Sequence, residues 1–235
     1  MAPTALSGVE MGVQATAVVL SNLAMLPAIV LLWRGGKRYE AVLGTGAFVS
    51  STGYHLAQTF ASNLLGYNEG DWHRMDNITS INCFIAVFVY LMDNRTRGVS
   101  TLLKTVGFLA VLRMQLTRPW YLPYTVGPVA LAVALPLCKH CLVARRFPRR
   151  FRVDMLRKGG LFLLLAFVAF ARGLDDEADY LKLAHGAWHF LISVASYYMW
   201  QIVDEDKDEG EDGEGGLWRQ GRARRPHAFA LDKLV

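Results

Sequence analysis

The 235-residue chain is poor in charged residues. Asp, Glu, Lys and Arg make up 19% of it and hydrophobic residues 53%, and the mean hydropathy is +0.23. Soluble domains are typically about 25% charged. Two long stretches, Met11–Trp33 and Ala41–Leu64, contain no charged residue, and each is long enough to cross a bilayer core of roughly 30 Å. These deficits exclude an ordinary soluble enzyme and a disordered chain, and they favour a multi-pass membrane protein.

Cysteine is also scarce. The three cysteines, Cys83, Cys138 and Cys141, are too few for a disulfide framework.

Basic residues outnumber acidic ones by 25 to 20 and the sequence pI is about 9.2. Because the basic residues lie between apolar blocks, we expect no nucleic-acid partner.

Seven apolar segments predict an all-α membrane protein, a bundle of seven transmembrane helices. The predicted helices are Met11–Trp33, Ala41–Leu64, Arg74–Met92, Val99–Leu116, Trp120–Val143, Leu156–Arg172 and Tyr180–Val203. The domain organisation is then a short N-terminal segment (1–10), a seven-helix domain (11–203) and a charged tail (204–235). Eight acidic residues between positions 204 and 214 predict that this tail is disordered.

The distribution of Lys and Arg predicts the orientation. The connections after the first, third and fifth predicted helices are rich in Lys and Arg, whereas those after the second and sixth contain neither. Because basic connections face the cytosol, we expect a lumenal or exterior N-terminus and a cytosolic C-terminus. Both the plasma membrane and the membranes of the ER or Golgi fit this pattern.

Polar residues inside the predicted helices are the candidate functional groups, because ionisable groups are costly in lipid. His185 and His189 are four residues apart, so both lie on one face of the seventh helix. Ser51 and His55 have the same spacing in the second helix. Asp76 lies within about the first turn of the third helix, and Asp71, just before that helix, is its main rival.

The predicted orientation brings these groups to one level of the bilayer. At ~1.5 Å per residue, His55 lies about 8–14 Å below the outer surface, and His185 and His189 roughly 8 and 14 Å below it. Three His ligands with an open fourth position are typical of catalytic zinc. We therefore predict a Zn²⁺ site formed by these histidines, with Asp76 orienting a water and moving its proton. Ser51 would hydrogen-bond the water or the developing oxyanion.

The same residues carry a resemblance to a known superfamily. Ser51-x-x-x-His55, an Asp at the start of the third helix and His185-x-x-x-His189 resemble the signature of the CREST superfamily. That superfamily includes the alkaline ceramidases, the adiponectin and progestin receptors, and the transmembrane protein 8 and myomaker family. The resemblance implies that the three histidines bind zinc and that Ser51 and Asp76 place the water.

Three further motifs resemble those of the transmembrane protein 8 and myomaker family: Tyr54-His55, Arg118-Pro119-Trp120 and Tyr124-x-x-Gly127-Pro128. The likeness covers nearly all of residues 11–203. Gln58 departs from the pattern, because myomaker-like sequences tend to carry Asp at that position.

The resemblance implies hydrolysis of a lipid amide or ester, as in a ceramide or in an acyl chain of a GPI anchor or phospholipid. Membrane lipids are then substrate or ligand. The alternative is a non-enzymatic myomaker-like fusion protein or receptor with a structural zinc. A retinal-type receptor is disfavoured, because Lys182 lies too near the membrane rim for a buried Schiff base.

Overall fold

The computed structural model describes residues 7–94, 96–175 and 177–204. Across these ranges the chain folds into α-helices, with two isolated β-bridges and no strand. The helices are α1 (Gly8–Asn22), α2 (Leu26–Arg34), α3 (Arg38–Phe60), α4 (Glu69–Leu91), α5 (Arg97–Thr117), α6 (Leu122–Leu137), α7 (Val153–Gly173) and α8 (Leu183–Met199). Of the predicted tail, 204–235, only Asp204 is described, and residues 1–6 of the predicted N-terminal segment lie outside the described ranges.

Three helical segments of the described chain are long and apolar enough to cross a membrane. They are Gly8–Arg34, Arg97–Thr117 and Leu122–Val143, with hydropathies of 2.1, 1.3 and 1.8. Large apolar side chains on the outside of the bundle, such as Leu102, Leu131 and Val168, are more than 60% exposed. An apolar surface of this extent is typical of contact with lipid, so the described fold is consistent with a membrane protein.

The first predicted helix is interrupted. A short 3₁₀ turn, Leu23–Met25, separates α1 from α2, and Pro27 occupies the start of α2. Proline has no N–H and its ring clashes with the carbonyl four residues earlier, so an α-helix breaks at this point.

The third predicted helix begins earlier than the sequence indicated, at Glu69 rather than Arg74. Asn68 and Asp71 form a capping box: the Asn68 side chain accepts from the Asp71 N–H at 3.0 Å, and the Asp71 carboxylate accepts from the Asn68 N–H at 3.3 Å. The prediction that Asp76 lies in the first turn was therefore wrong, because this cap starts the helix about 10 Å before Asp76.

The seventh predicted helix is shorter than expected. It ends at Met199 rather than Val203. It begins at Leu183 rather than Tyr180, because Lys182 adopts a left-handed conformation with φ of 57° and an α-helix cannot extend through it. His185 consequently lies in the first turn of α8, and His189 lies one turn deeper.

The ends of four segments meet on one side of the bundle. α6 continues into a π-helical segment, Cys138–Val143, whose Lys139 ammonium donates to the carbonyls of Met92 and Asp93 after α4. Arg150 pairs with Asp93 at 2.9 Å. The Asp204 N–H donates to the Arg150 carbonyl, so the described chain also ends on this side.

Toward the same side, an ion pair joins α5 to α3. The Lys104 ammonium lies 2.6 Å from the Glu40 carboxylate, and the two side chains are 21% and 12% exposed. Charged groups placed this deep are usually paired, because an unpaired buried charge is costly.

A glycine in α3 allows α3 and α4 to approach closely. Trp72 of α4 is 6% exposed and its indole N–H donates to the Leu64 carbonyl at 3.1 Å. A Cβ added at Gly53 would lie 2.5–2.7 Å from three carbons of the indole. Any side chain at this position would require the Trp72 indole to shift.

We expect Gly53→Ala to destabilise the protein by about 1–3 kcal/mol through this overpacking. The control is Gly160→Ala in α7, where an added Cβ meets no atom within 4 Å and improved helix propensity offsets any loss. Thermal unfolding in detergent measures both. Equal unfolding midpoints for the two variants would contradict the tight α3–α4 contact.

Candidate metal centre

Three histidines, from two helices that are far apart in the sequence, converge at one point. The Nε2 atom of His55, on α3, lies 2.9 Å from Nε2 of His189 and 3.3 Å from Nε2 of His185, both on α8. One ring nitrogen from each of the three lies within 4.8 Å of the others. His55 and His189 are 1% and 5% exposed, and His185 is half-buried. The structure thus brings together the three predicted metal ligands.

Helix α1 holds α3 and α8 together. On α8, Gly186 faces the α1 backbone so closely that an added Cβ would lie 2.9 Å from the Ala17 carbonyl. On α3, Ser51 and Thr52 each accept a hydrogen bond from the Asn22 amide at 3.3 Å. The packing of α1 therefore sets the separation of the helices that carry the histidines.

The donor set fits a transition metal such as zinc. Tetrahedral ligand atoms at ~2.0–2.1 Å from a zinc ion are roughly 3.3 Å apart, close to the 2.9 and 3.3 Å that separate Nε2 of His55 from those of His189 and His185. Within the described residues, Nδ1 of His55 and Nδ1 of His189 are buried without a hydrogen-bond partner. Imidazoles that ligate through Nε2 carry their proton on Nδ1, where a carboxylate, carbonyl or water usually accepts it. The Nε2 separations therefore fit a metal ion, whereas the acceptors for these two Nδ1 protons are missing among the described residues.

A cavity of about 590 Å³ extends from the histidines into the bundle. Its polar end includes His55, His73, Asp76, His185 and His189, and aliphatic and aromatic side chains line much of the rest. Along α3 the lining extends from Gln58 to Glu40, and the part between His55 and Glu40 corresponds to about 22 Å at ~1.5 Å per residue. The cavity is therefore long and mainly apolar, with its ionisable groups concentrated at the histidine end.

Asp76 lines the same polar end. Its carboxylate is half-buried and accepts a hydrogen bond from the Ser80 hydroxyl at 3.0 Å. Asp71, the rival candidate, belongs to the capping box of α4 and lies 3.6 Å from Arg74. It is not among the described residues that line the cavity. The geometry favours Asp76 over Asp71 as the acidic group of the site.

Ser51 lies elsewhere. It is fully buried between α3 and α1, where it accepts from Asn22, and it is not among the described lining residues. Its observed role is helix packing. The predicted role toward a water or an oxyanion has no support from this position.

His73 was not among the predicted site residues. Its ring stacks on Trp120, with centroids 3.7 Å apart and planes inclined by 7°, and lies 4.9 Å from the Tyr54 ring. Its position three residues before Asp76 is the sequence signal that could have identified it, because residues at that spacing share a helix face.

Comparison with known proteins places the chain in a family. Residues 10–190 match the model of a family described as protein of unknown function (DUF3522). The chain belongs to this family. The range that matches the DUF3522 model contains the three histidines, Ser51 and Asp76. No curated protein matches the chain.

We expect detergent-purified protein to contain about one zinc ion per chain by elemental analysis, and His185→Ala/His189→Ala to contain none, because a single remaining imidazole holds zinc weakly. His73→Ala is the control, since His73 lines the same cavity but lies outside the triad. Metal-free, folded wild-type protein would contradict the metal centre.

Proposed function

We propose that this DUF3522 protein is a zinc-dependent lipid hydrolase embedded in the membrane by seven helices. It would cleave an amide or ester bond of a lipid such as a ceramide, a phospholipid or the acylated part of a GPI anchor. The observation that carries the proposal is the position of the three histidines at the polar end of a long apolar cavity. The resemblance to the CREST superfamily, and to the transmembrane protein 8 and myomaker family within it, supports the same function.

The helix lengths support seven spans. Besides the three apolar segments, α3 and α4 contain 23 residues each, α7 contains 21 and α8 contains 17. A span needs about 20 residues, with a range of about 17–25. These four helices also line the cavity.

The charge distribution supports the proposed orientation. Exposed basic residues are concentrated beyond the π-helical segment, on the side where α4 and α6 end. They are Arg145, Arg146, Arg149, Arg152, Arg157 and Lys158. The histidines lie toward the opposite side, where α3 ends and α4 begins. A cytosolic basic side then puts the metal centre in the outer or lumenal half of the membrane.

In this proposal, His55, His185 and His189 would hold the ion through their Nε2 atoms. Zinc so held would polarise a carbonyl oxygen and lower the pKa of water toward ~7, which supplies a nucleophile at neutral pH. The Asp76 carboxylate orients the attacking water and takes up its proton, and then passes the proton to the leaving group. The apolar lining excludes bulk water and binds the hydrocarbon chain.

The arrangement of α6 and α7 gives a lipid lateral access to the cavity. Both helices line it, but they do not pack extensively against each other. Val126 of α6, Phe167 of α7 and Leu174, which directly follows α7, face the cavity and are 44%, 38% and 54% exposed. An acyl chain can therefore pass between these helices without crossing a polar layer.

Asp76→Ala should abolish lipid hydrolysis, a loss of about 10²–10⁴-fold, and leave the zinc content unchanged, because Asp76 is not one of the converging ligands. Asp71→Ala is the matched control and should retain turnover with a small loss of stability from the cap. Turnover of ceramide and phospholipid substrates by purified protein is the measurement. Full activity of Asp76→Ala would refute the assigned role, whereas zinc-loaded wild type that cleaves none of them would favour the fusion or receptor alternative.

The orientation is testable with the single-cysteine variants Arg146→Cys and Arg149→Cys in a background without native cysteines, since both residues are exposed beyond the Leu122–Val143 span on the side proposed to be cytosolic. In sealed microsomes, whose cytosolic face points outward, a membrane-impermeant maleimide should label them without detergent. A Ser62→Cys variant in a background without native cysteines should be labelled only after detergent, because Ser62 is exposed at the opposite end of α3. The reverse pattern would invert the proposed topology.

A further inference from the structure

The first turn of α8 is capped by a carboxylate that lies outside the helix. Asp179 is 6% exposed. Its Oδ1 accepts from the Ala184 N–H and its Oδ2 from the His185 N–H, both at 2.9 Å. The first four N–H groups of a helix have no intrahelical acceptor. Asp179 supplies acceptors for two of them, and one belongs to a histidine of the metal centre.

The residue at the N-cap position does not provide this cap. Lys182 has the left-handed conformation already described, and its side chain contains no acceptor. Its N–H donates to the Asp179 carbonyl at 2.8 Å. The backbone and the side chain of Asp179 thus both fix the point at which α8 begins.

His185 depends on this cap more than the other two histidines do. It is only half-buried and lies in a terminal turn, where helices fray. Its backbone also contacts Gly173 of α7 so closely that a Cβ added there would lie 3.1 Å from the His185 nitrogen and 3.2 Å from its Cα. The backbone of this histidine is therefore held between the Asp179 carboxylate and the α7 backbone.

We propose that Asp179 is a positioning residue of the metal centre, which holds the His185 backbone where its imidazole reaches the Nε2 atoms of His55 and His189. This inference rests on the proposed zinc site. Asparagine at this position keeps one acceptor oxygen and loses the other together with the negative charge. Loss of partners that orient a metal ligand typically weakens metal affinity by about 10–100-fold.

The test compares Asp179→Asn with Asp175→Asn, which removes the same charge from the same connection. The Asp175 carboxylate accepts from the Glu177 and Ala178 N–H groups and is exposed. Zinc affinity of the full chain in detergent is measured by competition with a chelator. Visible absorption of the Co²⁺-loaded protein reports ligand geometry, which a general loss of stability would leave unchanged.

We expect Asp179→Asn to bind zinc at least about 10-fold more weakly and to alter the Co²⁺ spectrum, and Asp175→Asn to match wild type. Equal affinities and spectra for all three proteins would overturn the positioning role and leave the zinc site intact. Wild-type protein that binds no zinc would overturn both proposals.

Gly173→Ala changes the other contact of the His185 backbone, the one with α7. It remains a test of the inference if Asp179→Asn does not fold. It retains the carboxylate but pushes the His185 backbone away from α7. We expect weaker zinc binding and a changed Co²⁺ spectrum relative to Gly160→Ala, which lies on the same helix and meets no neighbour. If a folded Gly173→Ala protein bound zinc with wild-type affinity, the position of the His185 backbone would not control the metal centre.

Discussion

The mutual approach of three imidazoles constrains the whole bundle. His55 lies 130 residues before His185 in the chain, and their Nε2 atoms are 3.3 Å apart. To place them so, α1 must pack against both α3 and α8, and this requires Gly186 on α8 and the Asn22 amide at the end of α1. Polar groups buried in this way are destabilising unless partners satisfy them. A bound metal ion would satisfy all three Nε2 atoms together.

The sequence predicted well the features that follow directly from the periodicity of apolar residues and from the free-energy cost of placing charge in lipid. All seven apolar segments correspond to helical regions, and the three histidines were identified from their spacing and their expected level. Helix ends were predicted less well, because they depend on local hydrogen bonds. The Asn68–Asp71 capping box moved Asp76 two turns into α4, and the left-handed Lys182 moved His185 into the first turn of α8.

Contacts between helices could not be predicted from patterns along the chain. Ser51 has the same i, i+4 relation to His55 that relates His185 to His189, yet it contacts α1 rather than the cavity. His73 enters the site through its stacking on Trp120, a residue of the connection before α6. Similarly, the cap on α8 comes from Asp179 in the preceding connection. Each of these positions depends on which side of a helix its neighbour covers, and a single sequence does not specify this.

The ion pair between Lys104 and Glu40 acquires a second meaning if the cavity holds a hydrocarbon chain. Glu40 lines the cavity at the start of α3, about 22 Å along that helix from His55, so an acyl chain whose ester or amide lies at the metal and which extends along α3 would meet this ion pair. A longer chain could advance only by displacing a partly buried carboxylate from its ammonium partner, which is unfavourable. The stretch of α3 between His55 and Glu40, about 22 Å at ~1.5 Å per residue, would then limit the length of the chain that the cavity accepts.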